Sequence, residues 1–321
     1  MRRGFEKNKV EVIDTQRKRK FPLNLRREND ILEETLSIAE EGYAAAYRFL
    51  LEKYEQNPGD FGPQALYFLA CLAGGDGQPE CALEWLNLAI RENGWWYRPE
   101  VLEDDDLACL TGDPAFRALK AASDGRYGAA ASESQAFFSW EGKKSDQLFL
   151  AVHGNTQNAQ LARDDWQPLL DPAWQLETIQ SAEPDGYGTY RWSYDMESYV
   201  PVAEAIEKVQ GAGYDRIACG GFSAGCDMLL RAIALSHARC DALVLQSPWL
   251  PMLEEHAEEL VHAIRQKKIQ VKIRCGSEDE DCLPMAEQLY DLLQKTGIPA
   301  ELTVQLGNRH QFPGAEEAHD E

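Results

Sequence analysis

Three side chains of the kinds used for acyl transfer stand far apart in this sequence, each soon after an apolar run. Ser223 lies in "RIACGGFSAGCDMLLRAI" (216–233), Asp279 in "RCGSEDEDCLP" (274–284) and His310 in "LGNRHQFP" (306–313). A serine hydroxyl is a weak nucleophile near neutral pH unless a base removes its proton, and an imidazole base works best when a carboxylate holds its tautomer. The chemistry would be attack by Ser223 on an acyl carbon, with His310 as base and then acid and Asp279 as its orienter. Asp281, in the same acidic run, is the alternative carboxylate.

Each of these positions needs an element to hold it. Short apolar runs at 147–154, 174–181, 216–223, 242–248, 270–276 and 300–307 alternate with amphipathic helical segments. Continuous apolar strands separated by helices predict a mostly parallel sheet with helices on both faces, in which ligands sit beyond the carboxyl ends of the strands. Gly221-Phe222-Ser223-Ala224-Gly225 falls where one strand stops and "CDMLLRAIALSH" begins a helix. A G-x-S-x-G match alone arises by chance in roughly one chain in ten of this length, so its setting carries the weight. A turn that sharp tolerates little side chain at its flanks, strains the serine, and aims the Ala224 N–H at a developing oxyanion.

The first half reads differently. Residues 28–122 show helical periodicity, and "EEGYAAAYRFLLEKYEQNPGD" (40–60) overlays "GQPECALEWLNLAIRENGWW" (77–96) at an offset of 36, matching Ala46 with Ala82 and Leu50 with Leu86. The pattern resembles tetratricopeptide units, and "VLEDDDLACLTGDPAFRAL" (101–119) resembles the segment that closes such arrays. Such helices either recruit a protein partner or pack on the second half. The Gly, Ala and Ser content of 123–135 predicts a linker, and residues 1–27 read as a basic, solvated arm.

From about residue 136 to 314 the chain resembles the α/β-hydrolase superfamily. "VHGNTQN" (152–158), "GGFSAG", "GSEDEDCLP" and "NRHQFP" occupy the positions of its motifs, and the order Ser, Asp, His is its order. The resemblance implies a doubly wound α/β sheet over 136–321, without a lid domain and with an open site, preceded by a small all-α domain. It implies Asn155, with Thr156 as the alternative, as the second oxyanion donor. His153 is read as tying down its loop. Trp192, Tyr194 and Trp249 are the candidates for lining a substrate pocket. The implied activity is that of a carboxylesterase-like serine hydrolase acting on a small or medium ester. A peptidase or thioesterase of the same fold, and a non-catalytic interaction protein, are the alternatives.

Composition bounds these readings. A chain of 321 residues with 44% hydrophobic content can bury a full core. Its formal charge of −22 argues against nucleic acid or an anionic membrane as partner. No apolar run approaches the roughly 20 residues that would span a bilayer, and the charged start "MRRGFEKNKV" is unlike a signal peptide, so the cytoplasm is expected. The eight cysteines lack C-x-x-C or Cys/His spacing and read as reduced core thiols, so neither metal nor cofactor is expected.

Overall fold

The computed structural model describes residues 25–195 and 197–313; the basic stretch 1–24 and the tail from 314 lie outside the described residues. The first half builds its own core. Helices α1 (Leu25–Ala39), α2 (Tyr43–Gln56), α3 (Pro63–Gly75) and α4 (Pro79–Asn87) enclose a cluster that includes Leu50, Leu66, Leu69 and Leu86, all fully buried. Ala46 and Ala82 are also fully buried, as the repeat register predicts. The second repeat has no return helix, however. After α4 a single π turn (Leu88–Glu92) leads to Gly94 at φ 72°, and 3₁₀ turns at Pro99–Glu103 and Asp105–Leu110 follow. The Asp104 side chain accepts from the Asp106 N–H, starting the last of these turns.

The expected linker at 123–135 is a correction. Residues 114–133 form one helix, α5 (Pro114–Glu133), opened by Asp113 accepting from the Ala115 and Phe116 N–H groups. Two glycines cost a helix only about 1 kcal/mol each, and the alanines at 129–131 favour it. Ser123 is buried, accepts from the Tyr97 N–H at 2.9 Å and donates to the Tyr97 carbonyl at 3.2 Å, which anchors the middle of α5 in the helical half.

Glu28, on α1, is almost fully buried, and Oε1 accepts from the Gly62 N–H at 2.7 Å, just before α3. Burial raises its carboxyl to about 7 from 4.5, although the N–H groups of Gly62 and Ala65 pull the other way. Between those values the folded chain holds a proton that the unfolded chain has lost, so stability falls as pH rises through this window. Glu28→Gln keeps an acceptor for Gly62 and has no charge to desolvate. It should melt above the native chain at pH 8, by an amount worth on the order of 3 kcal/mol, and level with it at pH 4.5. Thermal melts at the two pH values check this.

The second half is a seven-stranded sheet in the order β1-β3-β2-β6-β7-β8-β9. Its strands are β1 (Phe137–Phe138), β2 (Gln147–Val152), β3 (Trp174–Gln180), β6 (Arg216–Phe222), β7 (Ala242–Gln246), β8 (Gln270–Gly276) and β9 (Ala300–Gln305). All neighbours pair in parallel except the short edge strand β1. The helices of this half are α6 (Ala159–Trp166), α7 (Val200–Gln210), α8 (Ala224–Leu235), α9 (Leu253–Lys267) and α10 (Cys282–Lys295). Alternation along β2 sends Leu148, Leu150 and Val152 into the large cluster with α7, α8 and α9, and Phe149 and Ala151 into a smaller one with Trp166 of α6. Burial on both faces is why β2, β6 and β7 read as unbroken apolar runs.

A hairpin absent from the sequence expectations, β4 (Glu183–Gly186) with β5 (Thr189–Arg191), joins the two halves. The Arg98 N–H donates to the Asp185 carbonyl and the Arg98 Nε to Asp185 Oδ1, both at 2.9 Å, while the Tyr187 N–H donates to the Trp96 carbonyl. On its other side the Tyr190 N–H donates to the Gln157 carbonyl at 2.7 Å. The hairpin therefore connects the helical half to the loop that follows β2.

Candidate active site

Strand order reverses direction at the β2/β6 pair: the chain leaves β2 for β3 on one side and leaves β6 for β7, β8 and β9 on the other. Ligands of such sheets bind at this switch point. Asn155 follows β2 there, and Ser223 follows β6.

Ser223 has φ 50° and ψ −123°, far from what a serine prefers, and α8 begins at the next residue. Space explains the flanking glycines. A β-carbon on Gly225 would lie 2.5 Å from the His153 carbonyl oxygen and 2.6 Å from that of Val152. One on Gly221 would lie 2.8 Å from the Cys226 nitrogen. The first turn of α8 thus lies directly against the end of β2, and only glycine permits it. Of the four described non-glycine residues with positive φ, Ser223, Thr156 and Ser247 follow β6, β2 and β7, so backbone strain concentrates at this end of the sheet.

His310 and Asp279 meet as the sequence predicts. Asp279 is buried in the turn after β8, and His310 lies in the loop after β9, with Nδ1 2.8 Å from Asp279 Oδ2. The Cys282 N–H donates to Asp279 Oδ1 at 3.1 Å. Burial would raise this carboxyl, but the bond to His310, its charge, and bonds from Cys282 and Ser247 outweigh burial and hold it below its ordinary value. An ionised Asp279 accepts a hydrogen bond from Nδ1–H, which keeps the ring proton there and leaves Nε2 as the basic nitrogen. Asp281 is exposed at the start of α10. The structure therefore selects Asp279 over Asp281.

Ser223 and His310 line one cavity of about 250 Å³. The Ser223 hydroxyl makes no hydrogen bond among the described residues, so the serine–imidazole contact is the part of the relay still to close. Such contacts commonly tighten only with substrate bound. No hydrogen bond to another described residue is made by the N–H of Ala224 or of Asn155. Both are thereby left available as donors at the switch point. The Asn155 side chain is fixed from outside the cavity: Oδ1 accepts from the Trp192 N–H at 2.8 Å.

His153 is fully buried, its pKa lowered to about 4 by burial, with Nδ1 bonded to the Gly154 carbonyl and Nε2 accepting from the Ser181 N–H. It braces the loop, as expected. The three aromatic pocket candidates lie elsewhere. Trp192 is buried with its indole N–H donated to the His153 carbonyl, because a buried indole takes the nearest acceptor. Trp249 packs against the large core, and Tyr194 accepts from Asn155 Nδ2 at 3.4 Å. The aromatics that line the cavity are Phe68, Phe222 and Phe312.

The helical half also contributes to the site. No domain is inserted between β7 and β8, but Leu32, Glu33 and Leu36 of α1 form part of the cavity wall with Phe68 of α3. The helical half is the roof of the site. Nothing in "LEETL" signals this, since an amphipathic helix does not say what its face covers.

All eight cysteines are free thiols; six are buried, Cys81 is half-buried and Cys109 is exposed. Among the described residues one group has the reach to hold a metal ion: donor atoms of Asp279, Cys282 and His310 lie within 4.8 Å of one another. Two of the three are already joined to each other, and burial pushes the Cys282 thiol far above its ordinary range, so the donor set is committed to the hydrogen-bonded pair.

Comparisons with known proteins agree with the architecture. Residues 27–131 match the family model described as A/B hydrolase-like, N-terminal domain. The match lies within the helical half of the chain. The chain is similar over both halves to the crystal structure of an uncharacterized protein from Bacillus cereus ATCC 10987, at 27% identity and a TM-score of 0.51, covering 91% of this chain and 96% of that one. Zea mays acyl-protein thioesterase 2 is similar at 14% identity and a TM-score of 0.43, covering 57% and 94%. A puromycin-hydrolyzing peptidase of Mycobacterium tuberculosis is similar at 18% and 0.42, covering 58% and 35%. No curated protein sequence matches the chain. Among its described residues no helix is long and apolar enough to cross a membrane.

Proposed function

We propose that the chain is a serine hydrolase that cleaves a small carboxylic ester in the cytoplasm through an acyl–Ser223 intermediate. One observation carries the reading: a strained serine at a strand-to-helix turn shares a cavity with an imidazole whose far nitrogen is pinned by a buried carboxylate. Ser223 Oγ attacks the ester carbon as His310 Nε2 takes its proton. The N–H groups of Ala224 and Asn155 receive the oxyanion, and Asp279 stabilises the imidazolium. His310 then protonates the departing alcohol, and water releases the acid by the same steps in reverse order of roles.

A cavity of about 250 Å³ falls just below the roughly 300–1,000 Å³ of small-molecule sites, which favours a short acyl group over a polypeptide. With α1 turned onto the cavity, that helix serves substrate enclosure rather than partner recruitment. A fluorophosphonate tests the reading, because only an activated serine displaces fluoride from phosphorus. Stoichiometric labelling at Ser223, located by peptide mass, is the expected result, and an unlabelled chain would refute it.

A further inference from the structure

Glu33 is the feature of this cavity that the mechanism leaves unused. It stands on α1, in the cavity wall that also holds Ser223 and His310. Its carboxylate makes no hydrogen bond or ion pair among the described residues. The neighbouring Arg309 is turned elsewhere: it pairs through Nε with Glu278 Oε2 at 3.3 Å and gives Nη1 to the Glu33 backbone carbonyl, not to its carboxylate. Burial raises the Glu33 carboxyl; His310 lowers it, Asp279 raises it, and Arg309 and Asp30 act more weakly in opposite senses. No Lys or Arg lines the cavity among the described residues, whereas Asp30 and Asp165 add further negative charge to its wall.

A half-buried carboxylate with no hydrogen-bonding partner among the described residues is desolvated at a cost that a cation would offset. The apolar groups around it, Leu36 and Phe68, would cover the carbon substituents of such a cation. Building on the serine-hydrolase reading, we infer that Glu33 binds a small ammonium group on the substrate, so that the preferred esters carry a cation close to the scissile bond. The helical half would then supply specificity as well as a roof.

The test compares how choline and its uncharged isostere 3,3-dimethyl-1-butanol protect Ser223 from a neutral fluorophosphonate, in the native chain, Glu33→Gln and Glu33→Asp at low ionic strength. Choline should protect the native chain at about tenfold lower concentration than the isostere, the size of effect expected of one half-buried charged contact. Glu33→Gln should bring the two alcohols together, while Glu33→Asp retains part of the difference. Thermal melts confirm that each variant is folded. Equal or absent protection in the native chain, or a preference for choline that survives Glu33→Gln, overturns the inference while labelling leaves the serine-hydrolase reading intact. A chain that is not labelled at all ends both.

Discussion

Ser223→Ala is expected to lower ester turnover by about four to six orders of magnitude and to abolish fluorophosphonate labelling, with the melting temperature changed by no more than a few degrees. The size follows from the loss of covalent catalysis, because an alanine leaves His310 with no proton to move and no intermediate to form. What remains is binding and the oxyanion donors, which act only on attack by water. The fold should survive because the turn is held by its neighbours. The Ser223 N–H donates to the Gln246 carbonyl at 3.1 Å, its carbonyl accepts from Cys226 and Trp249, and the hydroxyl supports none of these bonds. Alanine at φ 50° carries the same backbone strain as serine, so no stability gain is expected from strain relief. Turnover of p-nitrophenyl acetate by both proteins, with thermal melts alongside, checks the prediction; activity retained in the variant would remove Ser223 from the mechanism.

How much of this arrangement could be read from sequence depends on how local its causes are. Strands buried on both faces leave unbroken apolar runs, so β2, β6 and β7 were legible to within a residue or two at each end; β3, β8 and β9 are bounded as closely, although β3 buries Gln175, Glu177 and Thr178, β8 alternates and no residue of β9 is buried. The elbow was legible because its cause, the contact of Gly225 with the end of β2, demands glycine whatever the rest of the chain does. Spacing after Gly276 favours Asp279 over Asp281, but the two follow the same strand, and only the turn geometry decides which carboxylate is buried. The pocket aromatics were misread for a similar reason: Trp192 lies near the right loop, but its indole N–H is spent on the His153 carbonyl. The roof was not legible at all. Glu33 reaches Ser223 across nearly two hundred residues, and the hairpin that brings the halves together binds largely through backbone groups, which carry no side-chain signature.

Asp279→Asn is expected to cost about 10³ to 10⁴ in turnover, whereas Asp281→Asn should stay within about twofold of the native chain. The asymmetry has a geometric origin. The Cys282 N–H donates to Oδ1, so an asparagine at 279 keeps its carbonyl oxygen there and must present its amide nitrogen where Oδ2 now faces His310 Nδ1. An amide N–H directed at Nδ1 makes that nitrogen the acceptor and moves the ring proton to Nε2. The nitrogen that should receive the serine proton is then already protonated. The charge that stabilises the imidazolium is lost as well, so the effect exceeds that of removing an ordinary hydrogen bond. Asp281 stands exposed in the same turn, at the start of α10, and its side chain makes no hydrogen bond to the imidazole among the described residues. Parallel kcat measurements on the two variants, with labelling rates at Ser223, decide the matter. Equal losses would mean that the acidic run acts through its field rather than through one hydrogen bond, and a greater loss at 281 would reassign the orienting carboxylate.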